Sequence, residues 1–181
     1  MHTQLRITTL LSFFIFSTGT VFADKEISGI IKNNINTKVY AIDPDASAII
    51  LSEKKAIYLV YDNGGLIRKE YRHKIIKILK PDAFGLADIQ IYYSEKDHRN
   101  YVHNIKATTY NLSDGVITAS SVNSEDLLGK KIRGNTYRVS FSLPAVKAGS
   151  IIDYSYEEVS EYYASFFSWQ VQGSYPKLSS E

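Results

Sequence analysis

Along most of this chain the hydrophobic residues recur at every second position, the spacing that puts them on one face of an extended strand. Residues 24–36 are the exception: they are polar, with Asn33, Asn34 and Asn36 crowded into the second half, and read as a lead-in. The pattern begins with the apolar run Ala46-Ser47-Ala48-Ile49-Ile50-Leu51, and a second run over 55–61 keeps Ile57, Leu59 and Tyr61 on one parity. Asn63-Gly64-Gly65 follows, and Asn-Gly tolerates the positive φ angles of a tight hairpin. Residues 66–80 form a long extended candidate with Glu70, Arg72 and Lys74 facing away from Tyr71, His73 and Ile75. The parity then flips to Ile76 and Ile78, which predicts a β-bulge near Ile75-Ile76.

Further strands are predicted over 87–93 (Ile89, Ile91, Tyr93), 101–110 (Ile105, Ala107), 116–121, 137–143 (Tyr137, Val139, Phe141, Leu143), 151–159 (Ile152, Tyr154, Tyr156) and 166–172 (Phe167, Trp169, Val171). Pro81-Asp82, Ser113-Asp114-Gly115, Pro144 and Gly149 mark the breaks. No stretch predicts a helix of three turns; residues 126–128 have room for one turn before Gly129 and Gly134. Many short strands between turn residues predict an all-β chain, an antiparallel β-sandwich.

Composition narrows the function classes. The 181 residues carry 21 basic and 19 acidic side chains, a balance that argues against a nucleic-acid partner, which needs a concentrated basic surface. There is no cysteine, so the chain has no disulfide, thiolate metal site or Cys nucleophile. Residues 1–23 read as a secretory signal peptide: Arg6 supplies the positive region, residues 10–16 the apolar region, and Val21-Phe22-Ala23 the small residues before cleavage between Ala23 and Asp24. Ser12, Ser17, Thr18, Gly19 and Thr20 interrupt the run, which is therefore not read as a spanning helix, and no later segment is either. The expected location is periplasmic or extracellular. The division is signal at 1–23, lead-in at 24–39 and β-sandwich domain at 40–181.

The order of several segments carries more information than any one of them. Asp43-Pro44-Asp45-Ala46-Ser47-Ala48 leads to Arg72-His73-Lys74-Ile75-Ile76-Lys77-Ile78-Leu79, then Ile105-Lys106-Ala107-Thr108-Thr109-Tyr110. Residues 141–150, Ile152-Asp153-Tyr154-Ser155-Tyr156 and Trp169-Gln170-Val171-Gln172 complete the series. From Tyr40 to Glu181 this order resembles the N-terminal β-rich domain of unknown function that precedes transglutaminase-like domains in exported bacterial proteins. The resemblance implies a β-sandwich accessory domain followed by a papain-like catalytic domain with Cys, His and Asp. This chain lacks the cysteine and ends at Ser179-Ser180-Glu181, where the family continues, so it reads as the N-terminal part of a larger domain with unfinished sheet pairing near Trp169.

Candidate chemistry is sparse. Asp97-His98 with His103, or with His73, is a weak zinc pattern, and the residues read better as surface histidines. Serines are plentiful without a Gly-x-Ser-x-Gly elbow. Glu157-Glu158 and Glu125-Asp126 are strand or loop neighbours that do not converge of themselves. Lys54-Lys55, Arg68-Lys69 and Lys130-Lys131 read as solubilising or edge-protecting charge. Asn111-Leu112-Ser113 matches a glycosylation acceptor. No catalytic, metal or cofactor-binding residue is assigned. The aromatics Tyr162, Tyr163, Phe166 and Trp169 are the candidate interface.

Three functions compete. The leading one is a non-catalytic exported domain that packs on, or positions substrate for, a transglutaminase-like or protease-like partner. A glycan or cell-surface polymer module would use the aromatics. A small outer-membrane β-barrel fits the alternation, against which stand the charges at Glu70, Arg72 and Lys74.

Overall fold

The computed structural model describes residues 18–62, 64–95, 100–161 and 173–181. Its elements are a helix α1 (Thr18–Asn34) and eight strands: β1 (Ala48–Asp62), β2 (Gly65–Ile78), β3 (Asp88–Ser94), β4 (Tyr101–Ser113), β5 (Val116–Ser121), β6 (Leu128–Arg133), β7 (Thr136–Ser142) and β8 (Ile151–Ser160). Two short 3-10 turns, Pro81–Ala87 and Ser124–Asp126, lie between strands. All strand pairs are antiparallel, in a five-stranded sheet ordered β1-β2-β8-β4-β5 and a three-stranded sheet ordered β3-β7-β6. The antiparallel sandwich expected from the alternation is therefore present. The sheets do not close into a barrel, which removes the outer-membrane barrel reading.

The turns form where the sequence placed them. β1 and β2 meet in a hairpin closed by the Asp62–Gly65 pair, with Gly64 at φ +83°. β4 and β5 turn through Asp114 and Gly115, both at positive φ (52° and 78°), the two-residue geometry that matches strand twist. The two runs expected at 46–51 and 55–61 are one continuous strand, β1. β6 was not expected; its residues are exposed throughout, so no alternation betrays it.

Two apolar layers flank the large sheet. On one face Ala48, Ile50, Ile76, Ile78, Ala107, Ile152 and Tyr156 pack with Ile91 and Phe141 of the small sheet. On the other, Ile49, Leu51, Ile75 and Ile151 pack with Ile31 and Ile35 from α1 and its end. This double coverage explains the parity flip at Ile75-Ile76. Adjacent positions are both apolar because both faces are covered, and β2 pairs with β8 in unbroken register from Arg68 to Lys77. The irregularity lies instead on the partner strand, between Ile50 and Ser52, where Leu51 is the extra residue.

The helix corrects the expectation that none would form and that residues 24–36 are a loose lead-in. Ile27, Ile30, Ile31 and Ile35 recur at helical spacing and pack against the sheet. Gly29, the β-branched isoleucines and the asparagines lower intrinsic helix propensity, so burial rather than propensity sustains α1. Its C-terminal end is tied down. The Tyr40 hydroxyl donates to Asn34 Oδ1 at 2.9 Å, and the Lys77 ammonium donates to the Ile35 carbonyl at 2.6 Å. The backbone of α1 continues through Ala23 and Asp24, the expected cleavage pair; residues 1–17 lie outside the described residues.

Candidate functional site

Antiparallel pairing puts alternate residues of β2, β8 and β4 side by side beneath α1. His73 lies opposite Ser155 of β8, which in turn pairs with Lys106 of β4. One rung along, Tyr71 lies opposite Glu157, which pairs with His103. These side chains form a polar field where the apolar layer under the helix runs out.

His73 is buried, at 6% exposure, and its Nε2 lies 2.6 Å from Asp153 Oδ1. A carboxylate can only accept, so Nε2 carries a proton, and in the neutral tautomer of the ring Nδ1 is an acceptor. This corrects the surface-histidine reading for His73. The signal that could have found the pair is parity alone, since Asp153 is 80 residues away. His103 pairs separately, Nε2 to Glu157 Oε2 at 3.5 Å. The two histidines thus share a face but serve different carboxylates, and among the described residues no group of three ligating side chains could hold a metal. His98 lies outside the described residues. Tyr71 hydrogen-bonds Ser155; burial pushes its phenol up, against the pull of that bond.

A cleft of about 640 Å³ opens here between α1 and the sheet. Ile27, Ile31 and Lys32 of the helix form one wall; His73, Asp153, Ser155, Lys106 and Thr108 form the floor.

The opposite face of the large sheet holds a cluster of paired ions, in which Glu70 Oε2 and Arg68 Nε are left without a hydrogen bond among the described residues. Glu70, on the face opposite Tyr71, His73 and Ile75, is 1% exposed and shares the face of Ile76. Its Oε1 lies 2.5 Å from Arg72 and 3.2 Å from Lys55, and its Oε2 lies 3.8 Å from Arg68. Glu158 reaches Arg68 at 3.2 Å, and burial pushes its carboxyl up. Lys55 and Arg68 are therefore partners in a buried ion network rather than solubilising charge. Lys130 and Lys131 do sit on the exposed outer strand β6.

A smaller cleft of about 460 Å³ on this face is lined by Glu53, Lys74, Tyr154 and Lys177. Lys74 lies 2.7 Å from Glu53, and Lys177 also pairs with that carboxylate. Burial pushes the Glu53 carboxyl up, but the two ammonium groups outweigh it and hold the group below its usual range.

The candidate interface aromatics Tyr162, Tyr163, Phe166 and Trp169 lie outside the described residues. The acceptor Asn111 is buried: its Nδ2 donates to the Ala145 carbonyl at 2.9 Å and its Oδ1 accepts from the Ser150 hydroxyl at 2.6 Å. It is not presented for glycosylation in this fold.

Residues 68–180 match the DUF3857 family, a domain of unknown function with a solved structure. The chain belongs to this family. The DUF3857 match takes in β2 from Arg68 onward, so it includes the His73–Asp153 pair, Lys106 and Ser155, while α1 and β1 precede it. No curated protein matches this DUF3857 chain. Among solved structures it is similar to the crystal structure of a putative protease from Parabacteroides distasonis, with a TM-score of 0.51 at 14% identity. That likeness covers 63% of this chain and 23% of the other, and at such identity it is a likeness of fold.

Proposed function

We propose that this DUF3857 chain is a non-catalytic exported domain that packs against a transglutaminase-like or protease-like catalytic domain. The observation that carries the reading is the free end of the β1–β2 hairpin. Tyr58, Leu59 and Tyr61 are 58%, 57% and 75% exposed, and Ile57 and Val60 are exposed beside them. Five consecutive large apolar residues on an outer strand are costly to leave in water and mark an interaction surface. Two further facts support it. Papain-like chemistry needs a thiolate, and the chain has no cysteine. The fold is similar to about a quarter of a longer chain that is named as a putative protease. Export follows from the signal-like residues 1–23.

Calorimetric titration with a purified transglutaminase-like catalytic domain encoded in the same genome tests the proposal. Saturable binding is expected, weakened about tenfold or more by a Leu59→Lys, Tyr61→Lys double variant, because charge at an interface core leaves an uncompensated desolvation cost. Absence of binding, or binding indifferent to the double variant, overturns it.

A further inference from the structure

The cleft beneath α1 lies on the other face of the sheet from the ion network and has no part in the accessory-domain reading. Its volume of about 640 Å³ is that of a small-molecule site, larger than one amino-acid side chain requires. Three properties of its lining define what would fit. First, His73 is more than nine-tenths buried, lines the cleft and spends only Nε2, on Asp153. Among the described residues Nδ1 has no hydrogen-bond partner, and the ring lines the cleft. As an acceptor it calls for an N–H or O–H on the ligand.

Second, Lys32 on the helix and Lys106 on β4 line the same cleft, and neither makes an ion pair among the described residues. The one carboxylate of the lining, Asp153, is taken by His73. The excess charge is positive, which selects an anion. Third, Ile27, Ile31 and Ile117 give the cleft apolar walls.

We propose that this cleft binds the carboxyl end of a short peptide whose last residue is apolar. The terminal carboxylate answers the two lysines, a backbone amide N–H answers His73 Nδ1, and the last side chain lies on the isoleucines. A free alkanoate supplies the charge and the apolar body but no N–H; a neutral sugar supplies donors but no charge. The site stands independently of the partner-domain proposal, since it uses the opposite face and a different ligand.

The test titrates N-acetyl-alanyl-leucine into the purified protein by calorimetry, beside its C-terminal amide and hexanoate. Saturable binding of the free acid is expected, with the amide and hexanoate each about tenfold weaker, as loss of a charged or a buried hydrogen bond predicts. A Lys32→Gln, Lys106→Gln double variant, at two exposed positions and with circular dichroism as the check on its fold, is expected to weaken the acid about tenfold. No binding of the acid, equal binding of the amide or of hexanoate, or an unaffected double variant each overturns the proposal.

Discussion

Lys77 shows how one side chain can fasten two elements. It is almost wholly buried, and its ammonium donates to the carbonyls of Ile35, just past α1, and Gly149, at 2.6 and 2.7 Å. Carbonyls at a helix C-terminus favour a cation, yet burial pushes this ammonium down to about 8. The unfolded chain, with an ordinary lysine, therefore binds more protons above about pH 8, and stability rises with pH in that window. Buried phenols act oppositely: burial raises Tyr40, Tyr71 and Tyr156, so their contribution falls once unfolded tyrosine ionises near pH 10. Urea unfolding at about pH 7.5 and about pH 9.5 is expected to show wild-type stability rising relative to Lys77→Met, whose slope over that window is flat. Equal slopes would show that Lys77 is not the titrating group. The Asn111–Ser150 pair offers a neutral counterpart. Ser150→Ala leaves the Asn111 Oδ1 acceptor unpaired in a buried site and is expected to cost about 1–3 kcal/mol, read as a shift in the urea midpoint. Neither arrangement could be read from the sequence, because each joins residues dozens of positions apart whose types are ordinary on a surface. An apolar row names its own burial, whereas Lys77, Glu70 and His73 become interior only through what covers them.

At the scale of elements, strands with one covered face were legible and those with two or none were not. β3 and β7 alternate because one face meets the inter-sheet core. β2 is covered on both faces at its end, so its pattern looked like a bulge; β6 is covered on neither and left no pattern. The helix was hidden for a related reason. Four isoleucines at helical spacing sit among residues that disfavour helices, and the pattern has meaning only with a sheet face to receive it. It follows that α1 depends on that face. Ile31→Ala, at a position 4% exposed, is expected to cost about 2–4 kcal/mol and to lower helical circular dichroism before the strands unfold. Turn chemistry was the most legible feature, since it is local. Gly115, at φ +78° in the β4–β5 turn, has open space where a side chain would go, so strain alone decides its replacement. Gly115→Val is expected to cost about 1–2 kcal/mol by thermal unfolding, with no change in the spectrum of the folded state.

For the whole molecule, the decisive boundary is the outer edge of β1. Residues 176–181 run parallel to its first half, joined by bonds from the Ile50, Glu53 and Lys55 amides to the carbonyls of Pro176, Ser179 and Glu181, and by return bonds from Leu178 and Glu181. Ion pairs reinforce the ladder: Lys177 with Glu53, and Lys54 with both Glu26 of α1 at 2.8 Å and Glu181 at 3.3 Å. Beyond Lys55 the outer strand reads Ala56-Ile57-Tyr58-Leu59-Val60-Tyr61, uncharged, β-prone and without proline or glycine. No described residue pairs with this part of the outer edge, and such a segment templates pairing with other chains. The terminal segment therefore shortens the free edge to the part that the proposed partner domain would cover. Deleting residues 176–181 is expected to shift elution on size exclusion towards large species and to raise thioflavin binding relative to the full chain. Lys177→Gln, which weakens the ion pair but keeps the backbone ladder, is expected to elute as the full chain does, separating edge protection from general destabilisation. Acid gives the same edge a second route to exposure. Glu53 is held below the usual carboxylate range, so its contribution is present above that range and is lost as pH falls through its depressed value. The full chain is then expected to begin associating at low pH while Leu59→Lys, Tyr61→Lys stays soluble; association of both alike would place the sticky surface elsewhere.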